Sequence, residues 1–203
     1  LLGLWVLRKI LLRYFSEVAT GITILILVAA TNYLNYSAID HAMTHNLLFT
    51  VFTLVIWFTI RLYETNKIRY AIILGLLCGL ATITRPTDII ICIIPALWGV
   101  SNFHDLRARF QFFIQQYRLL FVFVFFAAVV GSLQLIFWKI TTGNWLFYSY
   151  EDQGFDWRKP HLVDGLFSYK KGWLLYTPIM ALILPGFIYI YRKNKTTFYS
   201  VLL

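Results

Sequence analysis

The sequence predicts an all-α fold: a polytopic helical membrane protein with short broken helices and one long extracytoplasmic loop. Three observations carry that expectation. The 203 residues are 60% hydrophobic and only 13% charged, whereas soluble domains are nearer a quarter charged. Several apolar runs approach the ~20 residues that a bilayer-spanning helix needs. The runs recur along the chain, so none is a lone signal peptide.

Taken in order, residues 1–7 are apolar and read as the tail of a helix, followed by the basic connector at Arg8, Lys9 and Arg13. Residues 17–36 form a first full span and 46–63 return, with the short polar stretch SAIDHAMTH between them. Arg61, Lys67 and Arg69 mark a second basic connector. Residues 71–100 would make one helix of about 45 Å, well over a hydrocarbon core of about 30 Å. The run is broken by Thr84-Arg85-Pro86-Thr87-Asp88. Proline stops the helix before it, and Thr87 or Asp88 can cap a new one, so a hairpin of 71–84 and 88–100 is expected. Gly75 and Gly79 form a GxxxG step that permits close helix packing. Residues 101–118 are basic and amphipathic and suit the membrane interface. Residues 119–139 and 173–191 complete the spans.

The net charge is +9. Most of the Lys and Arg sit in short connectors beside apolar runs, where they orient helices toward the cytoplasm. The charge therefore points to membrane lipids as partners and not to nucleic acid. Cys78 and Cys92 lie inside apolar segments without a zinc spacing and read as small buried side chains. The chain begins and ends inside apolar runs, so residues 1–203 are expected to be a single transmembrane-domain fragment of a longer protein.

The stretch 141–172 stands apart. It carries Glu151, Asp152, Asp156, Arg158, Lys159, Asp164, Lys170 and Lys171, too many charges for hydrocarbon. Its aromatics argue against disorder. It is expected to be a folded outer loop. Tyr148 and Tyr150 offer faces on which sugar rings stack, and Glu151 is acidic enough to serve as a base. Lys170 and Lys171 could face an anionic headgroup or a lipid phosphate.

Arg85 is the sharpest candidate. An ionisable residue between two short apolar helices is a functional hypothesis by default. Its guanidinium could bind phosphate in a bidentate manner, beside the amides that open the following helix. Asp40, His41 and His45 cluster in the first outer loop. Asp40 is a weak catalytic candidate, and His45 a substrate contact. The two imidazoles lack the third ligand that zinc needs, so no metal site is assigned. No cofactor is called for, although a divalent metal stays open.

Three stretches give the chain a resemblance. NYSAIDHAMTHNLLF is similar to a loop-to-helix segment that ends in Met-Ser-His elsewhere, with Thr44 here in place of Ser. GLLCGLATITRPTDII is similar to a Gly-Leu-Ala-x-x-x-Arg-Pro-Thr segment. PHLVDGLFSYKKGWLLYTPIM is similar to a Phe-Ser-x-x-Lys-Gly-x-x-x-Tyr-x-Pro segment. In this order they resemble bacterial C-type membrane glycosyltransferases of the dolichyl-phosphate-mannose protein mannosyltransferase type, glycosyltransferase family 39-like.

The resemblance implies a hexosyltransferase-like enzyme in the bacterial inner (cytoplasmic) membrane, multi-pass, belonging to cell-envelope synthesis. It would move a sugar from a polyprenyl-phosphate-sugar donor to a lipid, glycan or protein acceptor at the extracytoplasmic face. It implies inversion at the anomeric carbon and a general base, an Asp in an outer loop upstream of Leu1. It places Arg85, with Lys171, on the carrier phosphate and His45 near the site. Two other readings stand beside it: a transporter or flippase of lipid-linked sugars, since broken helices also mark transport sites, or a non-catalytic membrane subunit whose outer loop binds a partner.

Overall fold

The structure, a computed structural model, describes residues 1–40, 43–147, 160–170, 172–193, 195 and 198–199. Among these residues the secondary structure is helical throughout, with no strand. The order is α1 (Leu2–Leu11), α2 (Glu17–Ala29), a π turn (Asn35–Ile39), α3 (His45–Thr65), α4 (Ile68–Thr84), a 3-10 segment (Pro86–Cys92), α5 (Ile93–Leu97), α6 (Phe103–Gln115) and α7 (Tyr117–Thr142). There follow α8 (Leu162–Phe167), α9 (Trp173–Tyr176), a second 3-10 segment (Pro178–Leu182) and α10 (Ile183–Lys193). Helices α3 and α7 are each long and apolar enough to cross a membrane.

The helix ends follow from local chemistry. The Ser16 hydroxyl accepts the Ala19 N–H at 3.3 Å and caps α2. Asn66, at φ 51°, closes α3 in the left-handed region. Gly143, at φ 76°, closes α7, so that helix runs three residues beyond the expected 119–139.

Helices α1 and α3 lie side by side in the same direction. Near one end Gly3 meets Phe49, where an added Cβ would come within 2.8 Å of the ring. At the other end Arg13 pairs with Glu64. Arg61 pairs with the same carboxylate at 3.0 Å, and the Arg13 guanidinium lies 4.7 Å from the Trp57 ring centre. Helix α4 returns against α3 and buries Ala71, Leu74 and Cys78 against Val55 and Leu62.

After α4 the chain reverses. Arg85 is extended, at φ −144° and ψ 118°, as a residue before proline must be. The segment 86–97 then runs back along α4: Cys92, Pro95 and Ala96 line the same small apolar cavity as Ala71 and Leu74. The Tyr63 hydroxyl donates to the Pro95 carbonyl at 2.6 Å, fixing the end of this return to the foot of α3.

The glycine step finds its partner in α7, which runs parallel to α4. A Cβ on Gly75 would press on the Phe123 carbonyl oxygen, and one on Gly79 would come within 2.7 Å of the Val130 Cβ. Small residues let the two backbones approach, the usual solution where water no longer drives association.

Several expected boundaries are corrected. The span 17–36 is not one helix: α2 stops at Ala29. The Thr31 hydroxyl bonds back to the Leu27 carbonyl at 2.5 Å and accepts the Tyr33 N–H at 3.2 Å, diverting the backbone into a turn. The span 173–191 is broken at Thr177-Pro178, where the missing proline N–H interrupts the ladder. The helix expected over 88–100 is a 3-10 turn opened by Pro86 and followed by the short α5. Neither Thr87 nor Asp88 caps it; the Asp88 N–H donates to the Arg85 carbonyl at 2.8 Å instead.

Candidate functional site

Three breaks in the helical pattern meet at one end of the bundle. The π turn after α2, the start of α3 and the Arg85-Pro86 reversal come together there. At the opposite end stand Arg13, Arg61, Glu64 and Arg109.

The Arg85 guanidinium reaches the start of α3. Its Nε donates to the Thr44 hydroxyl at 3.2 Å, and its Nη2 lies 3.4 Å from His45 Nε2. With a permanently charged donor on that side, His45 Nε2 is placed as an acceptor. The imidazole is held from its face by Tyr36, whose ring stacks on it with centres 4.3 Å apart and planes inclined by 30°. The next residue, Asn46, donates its side-chain amide to the Tyr36 carbonyl at 2.6 Å, tying the π turn to α3.

This arrangement has a particular electrostatic character. Thr44 occupies the N-cap position of α3, but its hydroxyl accepts from Arg85 and caps no amide of the helix. The positive end of the α3 dipole and the Arg85 cation therefore share one corner. A cation at a helix N-terminus is unfavourable by itself, and an anion entering that corner would satisfy both. Asp88 does not supply that anion, since no ion pair with Arg85 forms. One of its carboxylate oxygens is buried without a partner.

Beside this corner lies an open cleft of about 260 Å³. His45, Tyr36 and Asn46 form one wall. Thr31 and Tyr33 lie toward the end of α2, and Trp173, Thr177 and Met180 come from the broken segment after α8. Tyr33 is held edge-on to Phe49 at 5.1 Å. The Thr177-Pro178 break is what brings that segment to the cleft without continuing as a helix.

The expected site residues divide into three groups. Arg85 and His45 are brought together. Asp40 is exposed at the end of the π turn, where its N–H bonds to the Asn35 carbonyl at 2.8 Å, and it does not line the cleft. Lys170 is exposed, with its N–H on the Ser168 hydroxyl at 3.2 Å, and does not line the cleft either. His41, Tyr148, Tyr150, Glu151 and Lys171 lie outside the described residues. The expectation that the first amides after Arg85 join its guanidinium on an anion is corrected: the Asp88 N–H is used within the turn, and it is α3 whose N-terminus meets Arg85. Tyr36, Asn46 and Thr177 were not singled out from the sequence. Thr44 was noticed only as a departure from a motif.

A family model described as dolichyl-phosphate-mannose-protein mannosyltransferase matches residues 1–131. The match takes in both sides of the Arg85–His45 contact and two of the three resembling stretches. No curated protein and no solved structure matches the chain.

Proposed function

This chain belongs to the dolichyl-phosphate-mannose-protein mannosyltransferase family, and on that footing we propose that it moves a sugar from a polyprenyl-phosphate carrier to an acceptor at the membrane face where Arg85 meets His45. Membership makes it a membrane glycosyltransferase. The carrier, the face and the residues are the proposal.

One observation carries it: the Arg85 guanidinium and the N-terminus of α3 converge on a single corner beside the open cleft. That corner suits a phosphate. In the transfer, the bond between the anomeric carbon and the carrier phosphate oxygen breaks, and a bond from the acceptor oxygen to that carbon forms. The acceptor proton goes to a general base, and the phosphate leaves with added negative charge. Fixed positive groups aimed at that charge lower the barrier, because they need no rearrangement as it develops. His45 and Thr44 act as positioning residues that set the direction of the guanidinium. The aromatic wall at Tyr36 and Trp173 offers faces for the sugar ring, and Lys171 is a second cation proposed for the phosphate.

The test is transfer of radiolabelled sugar from a polyprenyl-phosphate donor by membranes containing the full-length protein. Transfer that is abolished in Arg85→Ala, with the protein still inserted, supports the reading. Undiminished transfer in that variant rejects it.

A further inference from the structure

Helix α6 presents three different faces, and only two have an explanation inside the protein. At about 100° per residue, Asp105, Arg109, Phe112 and Phe113 fall on one side. That side docks: the Arg109 guanidinium lies 3.8 Å from the Tyr63 ring centre and donates to the Trp98 carbonyl, and Phe112 meets Tyr63 at 5.4 Å. His104, Gln111 and Gln115 fall on a second, polar side and are exposed.

The third side carries Phe103, Leu106, Phe110 and Ile114, continued by Tyr117 at the start of α7. These are large apolar groups left open, with Phe103 83% exposed and Phe110 67% exposed. Arg107 stands among them, and Phe103, Leu106, Arg107 and Phe110 line a shared groove. An apolar stripe, a polar stripe and a docked stripe roughly a third of a turn apart suit a helix lying flat in a membrane surface. The apolar side then faces the acyl chains, the polar side faces water, and the third holds the bundle.

We infer that the α6 groove binds an anionic phospholipid, with Arg107 on the headgroup phosphate and Phe103, Leu106 and Phe110 against the acyl chain. The charge of the site selects the occupant. Arg107 sits at the border between the apolar and polar stripes, which is the depth of the phosphates. Guanidinium binds phosphate with two parallel hydrogen bonds. Arg109 cannot serve in its place, because its guanidinium is committed to Tyr63 and Trp98. The site lies at the end of the bundle away from the Arg85 corner, so the inference is independent of sugar transfer.

The experiment uses the purified full chain in phosphatidylcholine nanodiscs, with phosphatidylglycerol added in increasing proportion. Retained lipid is counted by native mass spectrometry, and the melting temperature is followed. Phosphatidylglycerol is expected to be retained in preference to phosphatidylcholine and to raise the melting temperature. Arg107→Gln is expected to weaken retention about fivefold, the effect of one basic residue at an anionic surface, with Arg107→Lys recovering part of it. Phe103→Ser with Phe110→Ser should also release the lipid, and Arg192→Gln should leave it bound. Since Arg107 is exposed, its replacement is not expected to disturb folding. Equal retention of the two lipids, wild-type retention by Arg107→Gln, or displacement by inorganic phosphate alone would each overturn the assignment.

Discussion

Arg85 Nη2 lies 3.4 Å from His45 Nε2, a contact between residues 40 positions apart. It joins the one cation at the helix reversal to the first residue of α3. Around it the Tyr36 ring, the Thr44 hydroxyl and the Asn46 amide hold both partners in place.

If that guanidinium meets the carrier phosphate, its geometry matters as well as its charge. Arg85→Gln should reduce kcat/KM for transfer by about 100-fold or more, the usual cost of removing a charge-stabilising donor. Arg85→Lys should recover only part, because an ammonium cannot contact Thr44, His45 and a phosphate in the same planar arrangement. Initial rates over a range of donor concentration distinguish these outcomes. A lysine variant equal to wild type would show that charge alone suffices.

If His45 acts through Arg85, as proposed, the two should not be additive. His45→Ala is expected to cost roughly tenfold in kcat/KM, and the same change made in Arg85→Gln, whose residual rate is measurable, should cost little more, as for residues in direct contact. The double-mutant cycle measures this. Independent, multiplying effects would mean that His45 contacts substrate separately.

The packing of α4 on α7 depends on two missing side chains. In Gly75→Ala the new Cβ would press on the Phe123 carbonyl, a backbone atom that cannot turn aside. A loss of about 1–3 kcal/mol is expected, the range for overpacking. Gly131→Ala is the control, since nothing lies within 4 Å of its added methyl. Thermal melting in detergent compares them, and equal stability of the two variants would contradict the close approach.

Asp105 gives a pH dependence at the start of α6. Its carboxylate accepts the Ser101 hydroxyl at 2.6 Å and the Ser101 N–H at 3.0 Å. The Ser101 hydroxyl bond chiefly, then the N–H bond, holds the carboxyl below the usual carboxylate range. A lowered folded value means that the stabilisation is complete above the unfolded pKa and is lost as pH falls through the folded one. Ser101→Ala should therefore move the Asp105 titration upward, and Asp105→Asn should remove this acid-sensitive step. A carboxyl-carbon NMR titration of Asp105 in micelles reads the first, and thermal melting followed across acidic pH reads the second. An unmoved titration in Ser101→Ala would disprove the cause.

The helical membrane class was legible because it rests on composition and run length, which need no knowledge of packing. The Arg85-Pro86 break was equally legible, since a proline and a charge interrupt a run too long to cross once. Gly75 and Gly79 announced a close contact without naming α7 as its partner. The break at Thr177-Pro178 could have been read from its proline, but the surrounding hydropathy outweighed it. The end of α2 at Ala29 had no such marker, because it depends on the Thr31 hydroxyl competing for the backbone. Least visible was the meeting of Thr44, His45 and Tyr36 with Arg85. A tertiary contact between separate segments leaves no periodic trace in either.

Among the described residues helix α7 buries only Leu119, near its start, and along its middle it packs on Gly75 and Gly79 of α4. It is thus a post braced on one side. Beyond Val130 the remaining turns reach about 18 Å to Thr142, so a tilt of 10° about the strip displaces Thr142 by roughly 3 Å. A small change in how two smooth helix surfaces slide past each other would be magnified at the far tip.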